Sequence, residues 1–343
     1  LMVVLEWFSG SHSIYRTHSA SIKAASERFR VVGIGHAGQV DQIGKAVFEE
    51  YVEVAGDTVS FVRAKAEELR PDIVYYPAFG MFPHSIYLTN LRLAPVQIVS
   101  YGHPATSMSS FIDYFVLPED WVGVPACFSE KLLPVPKAAM PFVPSVQSST
   151  YRPALRDRPD TIRIAIAATT MKLNPDFVET LARIRREAGK PVEFHFFMGG
   201  ARGRGEREAR DLLCRYRPDA AIHPIMPYAE YMARIEACDL YLNPFPFGNT
   251  NGIVDVTALG LVGVCKTGSE VLEHIDEALF TRIGLPDWLI AKSKDDYVQP
   301  AKRLITDDAL RSSLRRELLK SDAVKVLYRG QPELFAQALE TLL

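Results

Sequence analysis

The sequence is short of several things, and each shortage closes off a class of function. Its four cysteines, Cys127, Cys214, Cys238 and Cys265, are scattered and form no CxxC pair, which points to reduced thiols in a cytoplasm rather than a disulfide framework. No apolar run approaches the roughly 18 residues that span a bilayer, and the opening "LMVVLEWF" lacks the basic lead and cleavage site of a signal peptide. Neither sign of charge dominates: 39 Lys and Arg against 41 Asp and Glu leave a formal charge of −2, so neither nucleic acid nor an anionic membrane is expected as the main partner. HxH, HExxH and Cys/His metal spacings are missing, as are a Walker GxxxxGK[ST] loop and a DxD after a strand, so neither a metal nor P-loop phosphoryl transfer is expected. There is no internal repeat and no low-complexity tract.

What is present is the composition of a soluble globular protein, 48% hydrophobic and 23% charged, over 343 residues, which suits two domains of about 150 residues each. Short β-rich runs, "LMVVLEWF", "FRVVGIG", "EEYVEVAG", "DIVYYPA" and "VQIVSYG", alternate with amphipathic segments such as Val59–Leu69. That alternation predicts βαβ units and a parallel sheet covered by helices. A stretch rich in Pro, Ser and charge, Leu133–Thr161, reads as a linker. The pattern then restarts with "IRIAIAA", "VEFHFFM", "CDLYLNPF" and "GLVGVCKTG", separated by helical stretches at Asn174–Ala188 and Tyr228–Ala237. We therefore expect an α/β protein of two doubly wound Rossmann-like domains, residues 1–150 and 151–343, with the last helices packing back on the first domain. The ligand is expected at the carboxyl ends of the strands, in a cleft between the two. The chain opens inside what reads as a strand and without an initiator Met, so preceding residues are expected to be absent.

The loops after the strands carry the chemistry. In "TTMKLNPDF", Asn174 is a good N-cap, Pro175 suits the first helical position, and Thr169, Thr170 and Lys172 stand just ahead of a helix start. Hydroxyls, a point positive charge and free backbone N–H groups suit a phosphate; the alternative is a solvated loop. In "NPFPFGNTNGIVD", Pro244, Pro246 and Gly248 force the chain out of a strand, and Asn249, Thr250 and Asn251 open a helix. Ordinary capping needs one such residue, so three in a row favour a second anion-binding helix start. Asp255, a turn further on, can accept hydrogen bonds from a diol such as a ribose. In the first half, "GSHSIYRTHSAS" brings His12, Arg16 and His18 within seven residues, and a helix starting near Ser13 would put His12 at its mouth. A His there can act as a general base or orient an acceptor, and Arg16 can pair with a carboxylate or phosphate; the alternative is a surface cluster without a task. His103 in "SYGHPATS" follows another strand, aimed by Gly102 and Pro104.

Together "HSIYRTHSAS", "GHPATS", "TTMKLNP", "NPFPFGNTNGIVD", "GLVGVCKTG" and "EHIDEALFTRIGLP" resemble the bacterial cytoplasmic protein N-glycosyltransferases of glycosyltransferase family 41, relatives of the eukaryotic O-linked N-acetylglucosamine transferase. The likeness runs through essentially the whole chain. It implies a GT-B catalytic part preceded by an all-helical domain. It implies inverting, metal-independent transfer of glucose from UDP-glucose to Asn in Asn-X-Ser/Thr sequons of proteins such as adhesins or autotransporters, with no cofactor beyond the UDP-sugar. It assigns Thr169 and Lys172 to the donor diphosphate and Asn249, Thr250 and Asn251 to its cradle. Asp255 falls to the ribose, and His223 and Tyr228 to the loop that passes the uridine. His103 comes near the donor sugar, and His12 and Arg16 to the acceptor side. One position departs from the family: Gly200, in "FFMGGARGRGE", stands where relatives place a Gln close to the sugar, which makes glucose less secure than UDP.

In such a transfer charge builds on the departing diphosphate, and without a metal Lys172 and the two helix starts must stabilise it. An O-linking transferase, a UDP-sugar hydrolase or epimerase on the same architecture, and a non-catalytic protein-binding partner remain the alternatives, since fold does not fix function.

Overall fold

The computed structural model describes residues 1–199, 203–216 and 220–343. Most of its β-rich runs become strands buried on both faces, which is why they read as continuous apolar stretches; the edge strand Glu50–Glu53, with no buried residue, is the exception. Val3, Ile34, Val74, Ile98 and Phe115 in the first half and Ile164, Phe194, Leu240 and Val264 in the second are fully buried.

The chain forms two compact units. The first comprises Leu1–Val146, Ser269–Val271 and Tyr328–Leu343. Its strands are β1 (Met2–Val4), β2 (Val32–Gly35), β3 (Glu50–Glu53), β4 (Ile73–Tyr76), β5 (Val96–Ser100), β6 (Tyr114–Pro118) and β7 (Lys131–Val135), with helices α1 (Ser13–Ala25), α2 (Gln42–Lys45), α3 (Thr58–Leu69) and α4 (Pro83–Thr89) between them. The sheet runs β3-β2-β1-β4-β5-β6-β7, and every neighbouring pair is parallel. Strand order reverses between β1 and β4, the switch point where open α/β sheets bind ligands.

The second unit comprises Gln147–Gly268 and Leu272–Leu327. Strands β8 (Ile162–Ala167), β9 (Val192–Phe197), β10 (Ala221–His223), β11 (Leu240–Leu242), β12 (Gly263–Lys266) and β13 (Ile290–Ala291) form a parallel sheet ordered β10-β9-β8-β11-β12-β13, which switches between β8 and β11. Its helices are α5 (Pro175–Glu187), α6 (Arg204–Tyr216), α7 (Tyr228–Glu236), α8 (Thr250–Ala258), α9 (Val271–Arg282), α10 (Lys294–Thr306), α11 (Asp308–Ser321) and α12 (Val324–Tyr328). The closing helix α13 (Glu333–Glu340) lies in the first unit, packed against α1 and β7 with Phe335, Ala336 and Leu339 buried.

Local signals explain most boundaries. Helices α3, α5, α10 and α11 each open on an acceptor, Asp57, Asn174, Ser293 and Asp307, that takes a backbone N–H of the first turn. Helix α5 buries Phe177, Val178, Leu181 and Ile184, one helical stripe. The expected linker is corrected at its start: Leu133–Val135 belongs to β7, paired with β6 in the register Leu133 with Val116, and Ala139, Met140 and Phe142 beyond it are buried. Pro134 misleads because a proline cannot donate to a central ladder, but β7 is an edge strand, where that donor is dispensable. The units divide at Val146.

Candidate functional site

In the second unit, the loops after β8 and β11 flank the switch point and are tied to each other. Thr169 precedes the 3₁₀ turn Thr170–Lys172 and accepts the Lys172 N–H at its carbonyl, at 2.9 Å, without a side-chain cap; Lys172 Nζ reaches across to donate to the Gly248 carbonyl at 2.5 Å and lies 4.3 Å from the centre of the Phe247 ring. Asn174 Oδ1 accepts the Phe177 N–H at 3.0 Å to cap α5, while its Nδ2 donates to the Phe245 carbonyl at 2.6 Å, just before the cis Phe245–Pro246 bond. One asparagine thus fixes a helix start and the loop beside it.

Helix α8 starts at Thr250 with Asn249 as its N-cap residue. The Asn249 side chain makes no capping bond, and its own N–H donates to the carboxylate of Asp276 on α9, at 3.0 and 3.1 Å to the two oxygens. Of the three residues expected to cradle an anion, Asn249 is therefore already engaged through its backbone. Asp276 is 1% exposed, and burial pushes its carboxyl up to about 7 against the pull of the Asn249 and Thr250 backbone and of Lys172. Burial likewise pushes Lys172 down to about 8, while Asp276 holds it up. A side chain at Gly248 would put its Cβ 2.3 Å from Asp276 Oδ2, so the turn requires glycine there.

Asp255, one turn into α8, is buried and accepts the Tyr228 hydroxyl at 2.8 Å. His223, at the end of β10, lies flat against Phe197 (4.5 Å, 10°) and against His195 (5.2 Å, 14°), with its Nε2 3.0 Å from His195 Nδ1. Burial lowers both imidazoles. Gly200 lies outside the described residues.

In the first unit, His12 is the N-cap of α1: its Nδ1 accepts the Ile14 N–H at 3.3 Å, and its ring stacks on Trp7, itself 36% exposed. Accepting at Nδ1 places the proton of the neutral ring on Nε2. Burial lowers the imidazole to about 4. Arg16, one turn on, is buried, and its carbonyl accepts the Val143 N–H at 2.7 Å. His18 turns inward: fully buried, within 2.6 Å of the Thr17 hydroxyl and 3.3 Å of Ser100 Oγ, and pushed down to about 3 by burial, it is a core histidine rather than part of a surface cluster. His103 stands on a different loop, after β5, with its ring 4.7 Å from Phe79; a Cβ at Gly102 would meet the Pro77 carbonyl at 2.2 Å.

The structure therefore joins Lys172 to the start of α8 and Tyr228 to Asp255 by direct bonds, and puts His12 and Arg16 on one helix. Three participants were not anticipated. Asp276 and Trp7 lay inside quoted motifs, "EHIDEALF" and "LMVVLEWF", without a role. The third, buried Glu6 of the same "LMVVLEWF", accepts the Phe82 N–H at 2.9 Å and the Ser85 hydroxyl at 2.5 Å. Among the described residues, no three His, Cys, Asp or Glu side chains are grouped to hold a metal ion, and no helix is long and apolar enough to cross a membrane.

The chain is 46% identical, over 98% of its length, to the UDP-glucose:protein N-beta-glucosyltransferase of Actinobacillus pleuropneumoniae serotype 5b, of which it covers 55%; the protein of serotype 7 matches at the same identity and coverage. It thus spans about half the length of these curated relatives. A weaker likeness, 25% identity over 67% of the chain and 25% of the relative, is to the probable UDP-N-acetylglucosamine–peptide N-acetylglucosaminyltransferase SPINDLY of Hordeum vulgare. Among solved structures, a mutant O-GlcNAc transferase of Thermobaculum terrenum matches with a TM-score of 0.80 at 16% identity, covering 100% of this chain and 66% of that one, a likeness that shows a GT-B fold of two Rossmann-like units. No family model matches the chain.

Proposed function

We propose, on the premise that the chain belongs to the family of the UDP-glucose:protein N-β-glucosyltransferases over the half of their length that it spans, that it transfers glucose from UDP-glucose to the side-chain nitrogen of Asn in protein acceptors. The finer reading is an inverting, metal-independent reaction at Asn-X-Ser/Thr sequons of adhesin-like or autotransporter proteins, in the cytoplasm, with no cofactor beyond the UDP-sugar. The observation that carries the donor half is the junction of Lys172 with the start of α8, which sets one ammonium and the positive end of a helix at one strand edge. Asp255, held by Tyr228, is the acceptor group for a ribose hydroxyl, and the flat His223 ring, backed by Phe197, suits a base.

In an inverting transfer the bond between the anomeric carbon and the diphosphate oxygen breaks as the bond to nitrogen forms on the opposite face; the electron pair stays on the diphosphate, and the one proton the nitrogen gives up passes to the departing diphosphate or to water. Lys172 and the positive end of α8 beyond the engaged Asn249 N–H oppose that charge without reorganising, which accounts for several kcal/mol in comparable sites. His12 is read as a positioning group. With Nδ1 committed to Ile14, its Nε2–H is a donor, suited to the carbonyl oxygen of the acceptor carboxamide, and its depressed proton affinity makes it a poor base.

The test is mass spectrometry of a peptide carrying both an Asn-X-Ser/Thr sequon and a separate Ser, incubated with UDP-glucose with and without EDTA. Hexose on Asn in both samples supports the reading. Hexose on Ser, UDP release without peptide, or loss of activity on chelation each refute a named part of it.

A further inference from the structure

The Gly248–Asn249 peptide unit is held from both ends by opposite charges. Its carbonyl accepts from the Lys172 ammonium at 2.5 Å, and its N–H, carried by Asn249, donates to both oxygens of the buried Asp276 carboxylate at 3.0 and 3.1 Å. Lys172 and Asp276 thus act on one another through a peptide dipole, and their charges fix the orientation of the bond that opens α8. The absent side chain at Gly248 is what lets the carboxylate approach.

Helix α9 repeats the device at the next loop. Glu273 pairs with Lys266 at 3.1 Å beneath Gly268, where a Cβ would fall 2.1 Å from Glu273 Oε2, and Glu277 accepts from the Thr267 hydroxyl. The acidic face of "EHIDEALF" is therefore a row of anchors for the loops after β11 and β12. Among the described residues, the titratable groups that interact electrostatically with Asp276 include Lys172 from the loop after β8, Tyr241 from β11, Cys265 from β12 and Tyr297 from α10. Burial raises the last three well above their ordinary ranges, so they stay neutral, and Lys172 is the charge that answers the carboxylate.

Resting on the donor reading above, we propose that Asp276 is a positioning residue of the donor site, which through the Gly248–Asn249 peptide holds the first turn of α8 and the Lys172 ammonium in place for one diphosphate. It does not touch the substrate in this role. It keeps the helix start from reorienting when charge arrives, and it keeps Lys172 protonated. The sign follows from the pair: a neighbouring carboxylate raises the lysine, so its removal lets the ammonium lose its proton at lower pH.

The experiment compares wild type, Asp276→Asn, Asp276→Ala and Gly248→Ala by calorimetric titration with UDP, by donor and acceptor KM, and by the pH profile of kcat/KM. Asp276→Ala and Gly248→Ala are expected to weaken UDP binding and raise donor KM by about tenfold or more while leaving acceptor KM unchanged. Asp276→Asn keeps an oxygen for the Asn249 N–H and is expected to bind UDP within about threefold of wild type near pH 6.5, with its alkaline limb moved to lower pH. An unmoved limb in Asp276→Asn overturns the proposal, even if the alanine variants fail to fold. So does wild-type UDP affinity in a folded Asp276→Ala. If wild type itself binds no UDP, the donor reading fails first and the inference falls with it; if wild type binds and the variants match it, this inference alone is wrong.

Discussion

The strand-end loops of the two units are built from different materials. In the second unit they are stitched by charge and backbone: Lys172 to Gly248, Asn174 to Phe245, Asn249 to Asp276, Tyr228 to Asp255. In the first they are packed by rings: Trp7 on His12 and Phe82, Phe82 flat on His84, Phe79 on His103, with the His12, His84 and His103 imidazoles lowered by burial. The difference suits the two halves of the proposed reaction. A departing diphosphate needs dipoles and a cation fixed before it is formed, whereas a neutral carboxamide needs an apolar wall and a donor that carries no charge.

The largest effect is expected of Lys172→Ala, which should lower kcat/KM for the donor by about 10²–10³-fold, or ~3–4 kcal/mol. The donor reading proposed above makes the protonated form the active one, and since burial lowers Lys172 to about 8, wild-type kcat/KM should then fall by about tenfold per pH unit above that point. Steady-state rates from pH 6 to 10 would show it, and a flat profile would remove Lys172 from the charge-bearing role. Next in size is His12→Asn, which keeps a capping side chain for α1 but deletes the ring and its Nε2–H; kcat should drop about 10–100-fold with little change in melting temperature. A large fall in stability with unchanged turnover would make His12 a cap and nothing more.

How far the sequence predicts these sites depends on how local each interaction is. The N-cap Asn174, the α8 start and the switch-point strands follow from neighbours in the chain, so periodicity and turn chemistry reveal them. The inward turn of His18 needs the helical phase: six residues beyond His12 it has rotated by about 240°, onto the core side. Asp276 is beyond such reasoning, because its partner Asn249 lies on another helix and nothing near Asp276 marks it out from a solvated acid. Leu133–Val135 was hidden by Pro134, whose meaning depends on which edge of the sheet it occupies.

Smaller effects refine the contrast. Trp7→Ala should raise acceptor KM by about fivefold, near 1 kcal/mol, and leave donor KM alone; a change in donor KM instead would mean that the ring wall does not serve the acceptor. Least of all is Gly200→Gln, outside the described residues, which should favour UDP-glucose over UDP-galactose and UDP-xylose by about 1 kcal/mol if a side-chain amide there reaches a hydroxyl. An unchanged ratio of kcat/KM values in a folded variant would place Gly200 away from the sugar.

Helix α13 has a consequence for biosynthesis. Tyr328–Leu343 belongs to the first unit, where Phe335 is fully buried 5.4 Å from Tyr75 of β4. During translation the β1–β7 sheet emerges first, yet the helix that covers it arrives only after the entire second unit has left the ribosome. Of the two units, the one made earlier is therefore completed later, and in the interval its β4 and α1 surfaces stand uncovered in the nascent chain.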